Sequence, residues 1–145
     1  MNRADLERRN QVLRAYFEGR DWDDNNENAL KRDLVRRSHE LLPAYPLLID
    51  DEWEVEPNRT QDGKGDLLFT DGAGRYAVVE VKWLDLTTSG KTPRTSRTKK
   101  RQKVKDQAAD YAHALARRLE TFTQIEGYWF TNEYQTPQLI QKLSC

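Results

Sequence analysis

The chain has 145 residues, of which 37 % are hydrophobic and 33 % charged, the make-up of one water-soluble domain with a modest core. No apolar run approaches the roughly 18 residues of a membrane span, and the polar start Met1-Asn2-Arg3-Ala4-Asp5 lacks the apolar stretch of a secretory signal. The expectation is an intracellular protein, cytoplasmic or, in a eukaryotic host, nuclear, and a single cysteine, Cys145, excludes a disulfide framework or a thiolate metal site.

In chain order, the pattern predicts a first helix over about Ala4 to Glu18, with Leu6, Leu13, Tyr16 and Phe17 on one face and Gly19 as its stop. Residues 1–26 form a helical extension to a domain that occupies the whole chain. Asp23-Asp24-Asn25-Asn26 supplies N-cap candidates for a second helix that runs to about Leu42, where Pro43 ends it. Its apolar line is Leu30, Leu34 and Leu41, and Glu40 lies about 80° from Leu30 at 100° per residue. Glu52 to Glu56 alternates acidic and apolar residues, with Trp53 and Val55 on one face, as an edge or half-exposed strand would.

Two strand-like runs follow, Gly65-Asp66-Leu67-Leu68-Phe69 and Val78-Val79-Glu80-Val81-Lys82-Trp83, separated by the turn cluster Asp71-Gly72-Ala73-Gly74. A three-residue loop at Gly72, Ala73 and Gly74 makes Asp71 face Arg75 and puts Asp66 directly opposite Glu80. Lys82 then shares their face, while Leu67, Phe69, Ala77, Val79, Val81 and Trp83 point the other way. A two-residue loop would separate Asp66 from Glu80 by one full face. Opposed carboxylates repel and raise one another's pKa, a penalty that a divalent cation removes; hard oxygen ligands suit Mg²⁺ or Mn²⁺. Lys82 beside such an ion could position the attacking water or neutralise charge on a phosphate.

From Thr87 to Lys105 there are eight basic residues, Lys91, Arg94, Arg97, Lys99, Lys100, Arg101, Lys103 and Lys105, and no acidic one. The 24 basic and 24 acidic residues of the chain balance, so the remainder carries 16 basic against 24 acidic residues. Ser89-Gly90, Pro93 and the threonines make residues 86–101 read as a basic loop able to grip a polyanion. A helix over about Gln102 to Phe122 comes next, buried along Val104, Ala108, Tyr111, Ala112, Leu115 and Leu119. Ile125 to Thr131 reads as a strand, and Thr136-Pro137 as the start of a last helix. A fourth strand reached through a helix implies a parallel crossover and a mixed α/β sheet covered on two faces. His39 and His113 both project away from the apolar stripes, which argues against a histidine-based phosphodiesterase. Trp22, Trp53, Trp83 and Trp129 read as core or interface residues.

Gly65-Asp66 followed by Glu80-Val81-Lys82 resembles the motif of the PD-(D/E)XK nuclease superfamily, and Gln107-Ala108-Ala109-Asp110-Tyr111 looks like the Gln-xxx-Tyr helix motif of its RecB-type branch. Gly65 stands where the eponymous proline would be, a substitution that branch also shows. The resemblance covers roughly residues 28 to 131 and implies a restriction-endonuclease-like core in α-β-β-β-α-β order. By that resemblance Asp66, Glu80 and the Val81 carbonyl bind Mg²⁺ or Mn²⁺, with Glu40 as the accessory acid from the preceding helix. Lys82 serves the nucleophile, and Gln107 and Tyr111 support the site or touch substrate; the charge pattern, apart from the resemblance, makes Lys91, Arg94, Arg97, Lys99, Lys100, Arg101 and Lys103 the residues that would bind its phosphates.

The implied activity is a metal-dependent nuclease acting on DNA, with RNA a second substrate class and a homodimer an assembly that small nucleases of this kind use to cut both strands. The competing expectations are a nuclease fold that binds or assembles on nucleic acid without cutting, and a protein-interaction domain whose charges only pair with one another.

Overall fold

The computed structural model describes residues 2–20, 26–54 and 64–145. Among the described residues nine elements follow in chain order: α1 (Arg3–Gly19), α2 (Asn26–Arg36), α3 (Ser38–Leu41), β1 (Leu47–Glu54), β2 (Lys64–Thr70), β3 (Arg75–Lys82), α4 (Lys91–Arg118), β4 (Gln124–Thr131) and β5 (Gln138–Ser144). Trp22, the cap candidates Asp23, Asp24 and Asn25, and the strand residues Val55 and Glu56 lie outside the described residues.

The strands form one mixed sheet in the order β1-β2-β3-β4-β5, antiparallel throughout except for the parallel pair β3 and β4 that α4 connects. This is an α/β fold with the crossover that the strand-helix-strand pattern predicts. Alternation along β2 and β3 divides the core. Leu67, Phe69, Ala77, Val79 and Val81 pack with Phe17, Leu34, Val35, Leu42 and Tyr45 from the first three helices and their connections. Leu68 and Val78 pack on the other face with Tyr111, Ala112, Ala114 and Leu115 of α4. Each fully buried aliphatic side chain here contributes roughly 1.5–3 kcal/mol from removal of apolar surface from water.

The hairpin takes the odd-length loop. Register runs Thr70↔Tyr76, Phe69↔Ala77, Leu68↔Val78 and Leu67↔Val79, and the Asp71 N–H donates to the Arg75 carbonyl at 3.1 Å. Gly72 and Gly74 adopt φ of 79° and 99°, where a β-carbon is disfavoured, and the Asp71 carboxylate accepts from the N–H groups of Ala73 and Arg75 at 2.7 and 3.0 Å.

Four elements differ from the sequence reading, the first being β1, which begins at Leu47 rather than at Glu52. Residues 86–101 are not a loop throughout: the chain is helical from Lys91, because Pro93 falls in the first turn, where a missing N–H leaves no helical bond unmade. That helix closes at Arg118, not at Phe122. The segment after Pro137 is a strand, not a helix, since the open edge of β4 offers its 138–144 backbone a ladder, interrupted by one irregularity at Ile140. The helix towards Leu42 is broken at Arg37 into α2 and α3.

The β1 edge of the sheet is covered by α1. On β1, Asn10 of α1 accepts the Leu48 N–H at 2.8 Å, Arg9 donates to the Ile49 carbonyl, and Arg14 to that of Pro46 at 3.3 Å. Helix α1 thus satisfies edge groups that would otherwise invite another strand. Behind the sheet, the Tyr45 hydroxyl donates to Glu126, which also accepts from Tyr128 at 3.2 Å and Gln124 at 3.1 Å. Burial first, then the Glu126 carboxylate, pushes the Tyr128 phenol up to about 12 and the Tyr45 phenol higher still, so both stay protonated donors.

Helix α4 can lie close on β4 because Gly127 has no side chain. A β-carbon there would sit 2.8 Å from the Ala108 carbonyl oxygen and 3.3 Å from the Ala112 methyl. Gly127→Ala is expected to lift α4 and lower stability by about 1–3 kcal/mol, measured as a shift in the urea midpoint at constant m-value. An unchanged midpoint would show that the helix tolerates the displacement.

Candidate active site

Strands β2 and β3 part company beyond the Leu67↔Val79 pair. β2 continues against β1 through Gly65 and Lys64, whereas β3 continues against β4 through Glu80, Val81 and Lys82. Asp66 and Glu80 stand in the opening of this fork, and their side chains bridge it. The Asp66 N–H donates to Glu80 Oε2 at 2.9 Å, and the Val81 N–H donates to Asp66 Oδ2 at 2.8 Å. Two backbone donors are thereby satisfied by carboxylates, and each carboxylate retains a second oxygen.

On β1, Glu52 falls opposite Asp66 and has φ of 48°, the one described non-glycine residue in the left-handed region. Such backbone strain costs of order 1–3 kcal/mol and gathers at functional sites. Gly65 is required locally: a β-carbon there would overlap the indole of its cross-strand partner Trp53. Trp53 is itself buried, edge-on to Tyr111 with ring centroids 6.2 Å apart.

The electrostatics follow from burial. Glu80 keeps 3 % of its surface, and loss of hydration, then the Asp66 charge, pushes its carboxyl well above the ordinary glutamate range. Asp66 is raised mainly by burial and drawn back by the Val81 N–H and by Lys31. Lys31 is buried on α2, with its ammonium 5.9 Å from the centroid of the Phe17 ring, and its charge opposes the upward shift at Asp66, Glu80 and Asp51 alike.

A pocket of about 360 Å³ opens over the fork, lined by Asp66, Glu80, Val81 and Lys82 from the strands, Glu27 from α2, and Lys100, Lys103, Gln107 and Tyr111 from α4, with Lys64 at the rim. The predicted site residues Asp66, Glu80, Val81, Lys82, Gln107 and Tyr111 therefore meet, and Gln107 reaches the Tyr111 hydroxyl. Glu40 does not join them. It is exposed on α3 beside Arg37 and His39, because the break at Arg37 turns the chain away from the sheet end. Helix α2 presents Glu27 instead, whose Oε1 lies 3.5 Å from Lys82 Nζ. Glu27 and Lys31 were legible as an i, i+4 pair, with Lys31 three residues before Leu34 and four before Val35 on the buried side.

The basic residues divide by task. Lys100 and Lys103 line the pocket, and Lys91, Arg94 and Lys99 are exposed outside it. Arg97 donates to the carbonyls of Asp85 and Thr88, both at 3.0 Å, and Arg101 is held by Glu133 at 2.5 Å, so these two anchor the helix. Trp83, expected in the core or at an interface, is 37 % exposed just after Lys82, while Trp53 and Trp129 are buried. His39 and His113 are exposed, as their helical positions imply.

The donors at the fork fit a hard divalent cation: two carboxylates and the Val81 carbonyl, all oxygen, the set with which Mg²⁺ or Mn²⁺ keeps several waters. Among the described residues no group of three or more acidic, histidine or cysteine side chains is close enough to form a ligand cage. No described helix is long and apolar enough to cross a membrane. Comparison with protein-family models, curated proteins and solved structures gave no match to this chain.

Glu80, with its pKa raised in the fold, stabilises least when ionised: its contribution is intact below the unfolded glutamate pKa and falls as pH rises toward the folded value. In a chelator at pH 8, Glu80→Gln is expected to raise Tm by about 2–4 °C, the shift that about 1 kcal/mol gives in a domain of this length. The gain should shrink toward pH 4 and reverse in sign when Mg²⁺ stabilises only the parent protein. Equal melting at every pH would mean that the buried pair carries no charge penalty.

Proposed function

We propose that this chain is a divalent-metal-dependent nuclease of the PD-(D/E)XK type, acting on DNA through a restriction-endonuclease-like arrangement of β2, β3 and α4. The observation that carries the reading is the meeting of Asp66, Glu80, Lys82 and Gln107 in one pocket rimmed by Lys64, Lys100 and Lys103. A phosphodiester is the substrate such a pocket favours, since cations surround carboxylates that would themselves repel it.

Asp66, Glu80 and the Val81 carbonyl would hold the ion. When bound, it supplies Lewis-acid polarisation of the phosphate and a more acidic water. Lys82, at the end of β3, orients the attacking water and stabilises charge gathering on the phosphate. Glu27 shares the Lys82 ammonium and limits its range. Gln107 fixes the Tyr111 phenol, raised by burial and by the Glu80 and Asp66 charges, so that it remains a hydrogen-bond donor. Lys64, Lys100 and Lys103 grip flanking phosphates, which positions the chain without reading bases.

Cleavage of a plasmid in Mg²⁺ or Mn²⁺ is expected, with a loss of about 100-fold or more in Asp66→Ala, Glu80→Ala and Lys82→Ala, the size of effect that removing one group facing the reacting charge produces. Activity untouched by all three would dispose of the assignment. A second reading, a nucleic-acid-binding module that does not cut, is favoured by the small ligand set at the fork among the described residues. Calorimetry separates the two: Mg²⁺ binding abolished by Glu80→Ala belongs to the nuclease, and salt-dependent DNA binding with no cation site to the module.

A further inference from the structure

The pocket uses only part of the basic stretch. From Lys91 to Lys103 no residue of α4 is buried, and the first buried position is Val104. Thirteen helical residues, roughly 20 Å at 1.5 Å each, thus stand clear of the core, moored by Arg97 on the Asp85 and Thr88 carbonyls and by Arg101 on Glu133.

Local chemistry opposes this part of the helix. Its N-cap, Gly90, makes no side-chain capping bond, and the first turn has no acidic residue to meet the positive end of the helix dipole. Cations stand there instead. Like charges recur three residues apart at Lys91, Arg94, Arg97, Lys100 and Lys103, a spacing that brings neighbours together on the helix surface. The hydroxyls of Thr95 and Thr98 turn back onto the Lys91 and Arg94 carbonyls at 2.9 Å, contacts that slightly weaken a helix. Helices in proteins are held mainly by packing of an apolar face, which this half lacks.

A row of phosphates reverses each of these terms. It provides the anion missing at the N-terminus and relieves the repulsion between neighbouring cations, and Lys100 and Lys103 carry the same row into the pocket. The partner is a duplex, because the segment holds no aromatic side chain on which unpaired bases could stack, whereas its length spans about six base pairs and an α-helix fits the major groove. We infer that residues 91–103 are a duplex-DNA-binding arm whose helix is completed by the DNA it binds.

The inference rests on reading the pocket as a DNA site, and its test is made without cleavage. Amide hydrogen exchange of the full chain in EDTA, alone and with a duplex of about 20 base pairs at low salt, reads the arm directly. In the free protein, amides of 91–103 should exchange at least about tenfold faster than those of 104–118, and saturating duplex should slow them about tenfold or more. The double variant Lys91→Ala, Lys99→Ala, which alters two exposed side chains, should weaken DNA binding and reduce the salt slope by about 2, yet slow exchange of the arm in the free protein. Protection of the free arm equal to that of 104–118, no slowing on DNA, or equal slowing by a single strand of the same length would overturn the inference. An arm that orders in a chain that does not cut would overturn the nuclease reading alone, and a rigid arm in a chain that cuts would overturn the arm alone.

Discussion

The structure turns on two carboxylates held together where strands β2 and β3 separate. Backbone N–H groups that a continuing ladder would have satisfied are taken by Asp66 and Glu80, each bonding across the fork toward the other's strand. This makes the carboxylates part of the fold as well as part of the pocket. Their mutual repulsion and lost hydration are opposed from below by Lys31, whose stem is buried in the helical layer with Phe17. Buried charge is tolerated only with such compensation.

The layers on either side serve this arrangement. Helix α2 brings Glu27 and Lys31 to one side of the fork, and α4 brings Gln107, Tyr111, Lys100 and Lys103 to the other. The close approach of α4 over Gly127 and the fit of Trp53 against Gly65 both depend on the missing β-carbon, since one there would meet the Ala108 carbonyl or the Trp53 indole. Away from the fork, the cluster of buried Tyr45 and Gln124 with half-buried Tyr128 on Glu126 satisfies a polar group that would otherwise oppose the same packing.

Charge is segregated along the chain rather than in its total. Eight cations without an acid occupy one segment, yet they do three things: two moor the helix, two enter the pocket, and others face water beside it. Lys105 is again different, lying 4.8 Å over the ring of Trp129. A stretch that looks uniform as a string of residues is thus divided by helical angle, because positions three and four apart share a face.

What the sequence determined by itself is the hairpin and its consequence. Turn residues at 71–74 dictate loop length, loop length dictates register, and register places Asp66 with Glu80 on the α4 face; every step is local in the chain. The apolar period likewise marked Tyr111 and Val104 as the inner side of α4. Only the tertiary structure decided the rest. Whether residues after Pro137 form a helix or a strand depends on β4 offering an open edge, and the stretch from Lys91 to Arg101, which reads as a loop, meets tertiary partners at Asp85, Thr88 and Glu133 that local propensity cannot register. The same holds for the acid beside Lys82: Glu40 and Glu27 are alike as residues of a predicted helix, and the break at Arg37 alone leaves Glu40 in water and Glu27 in the pocket.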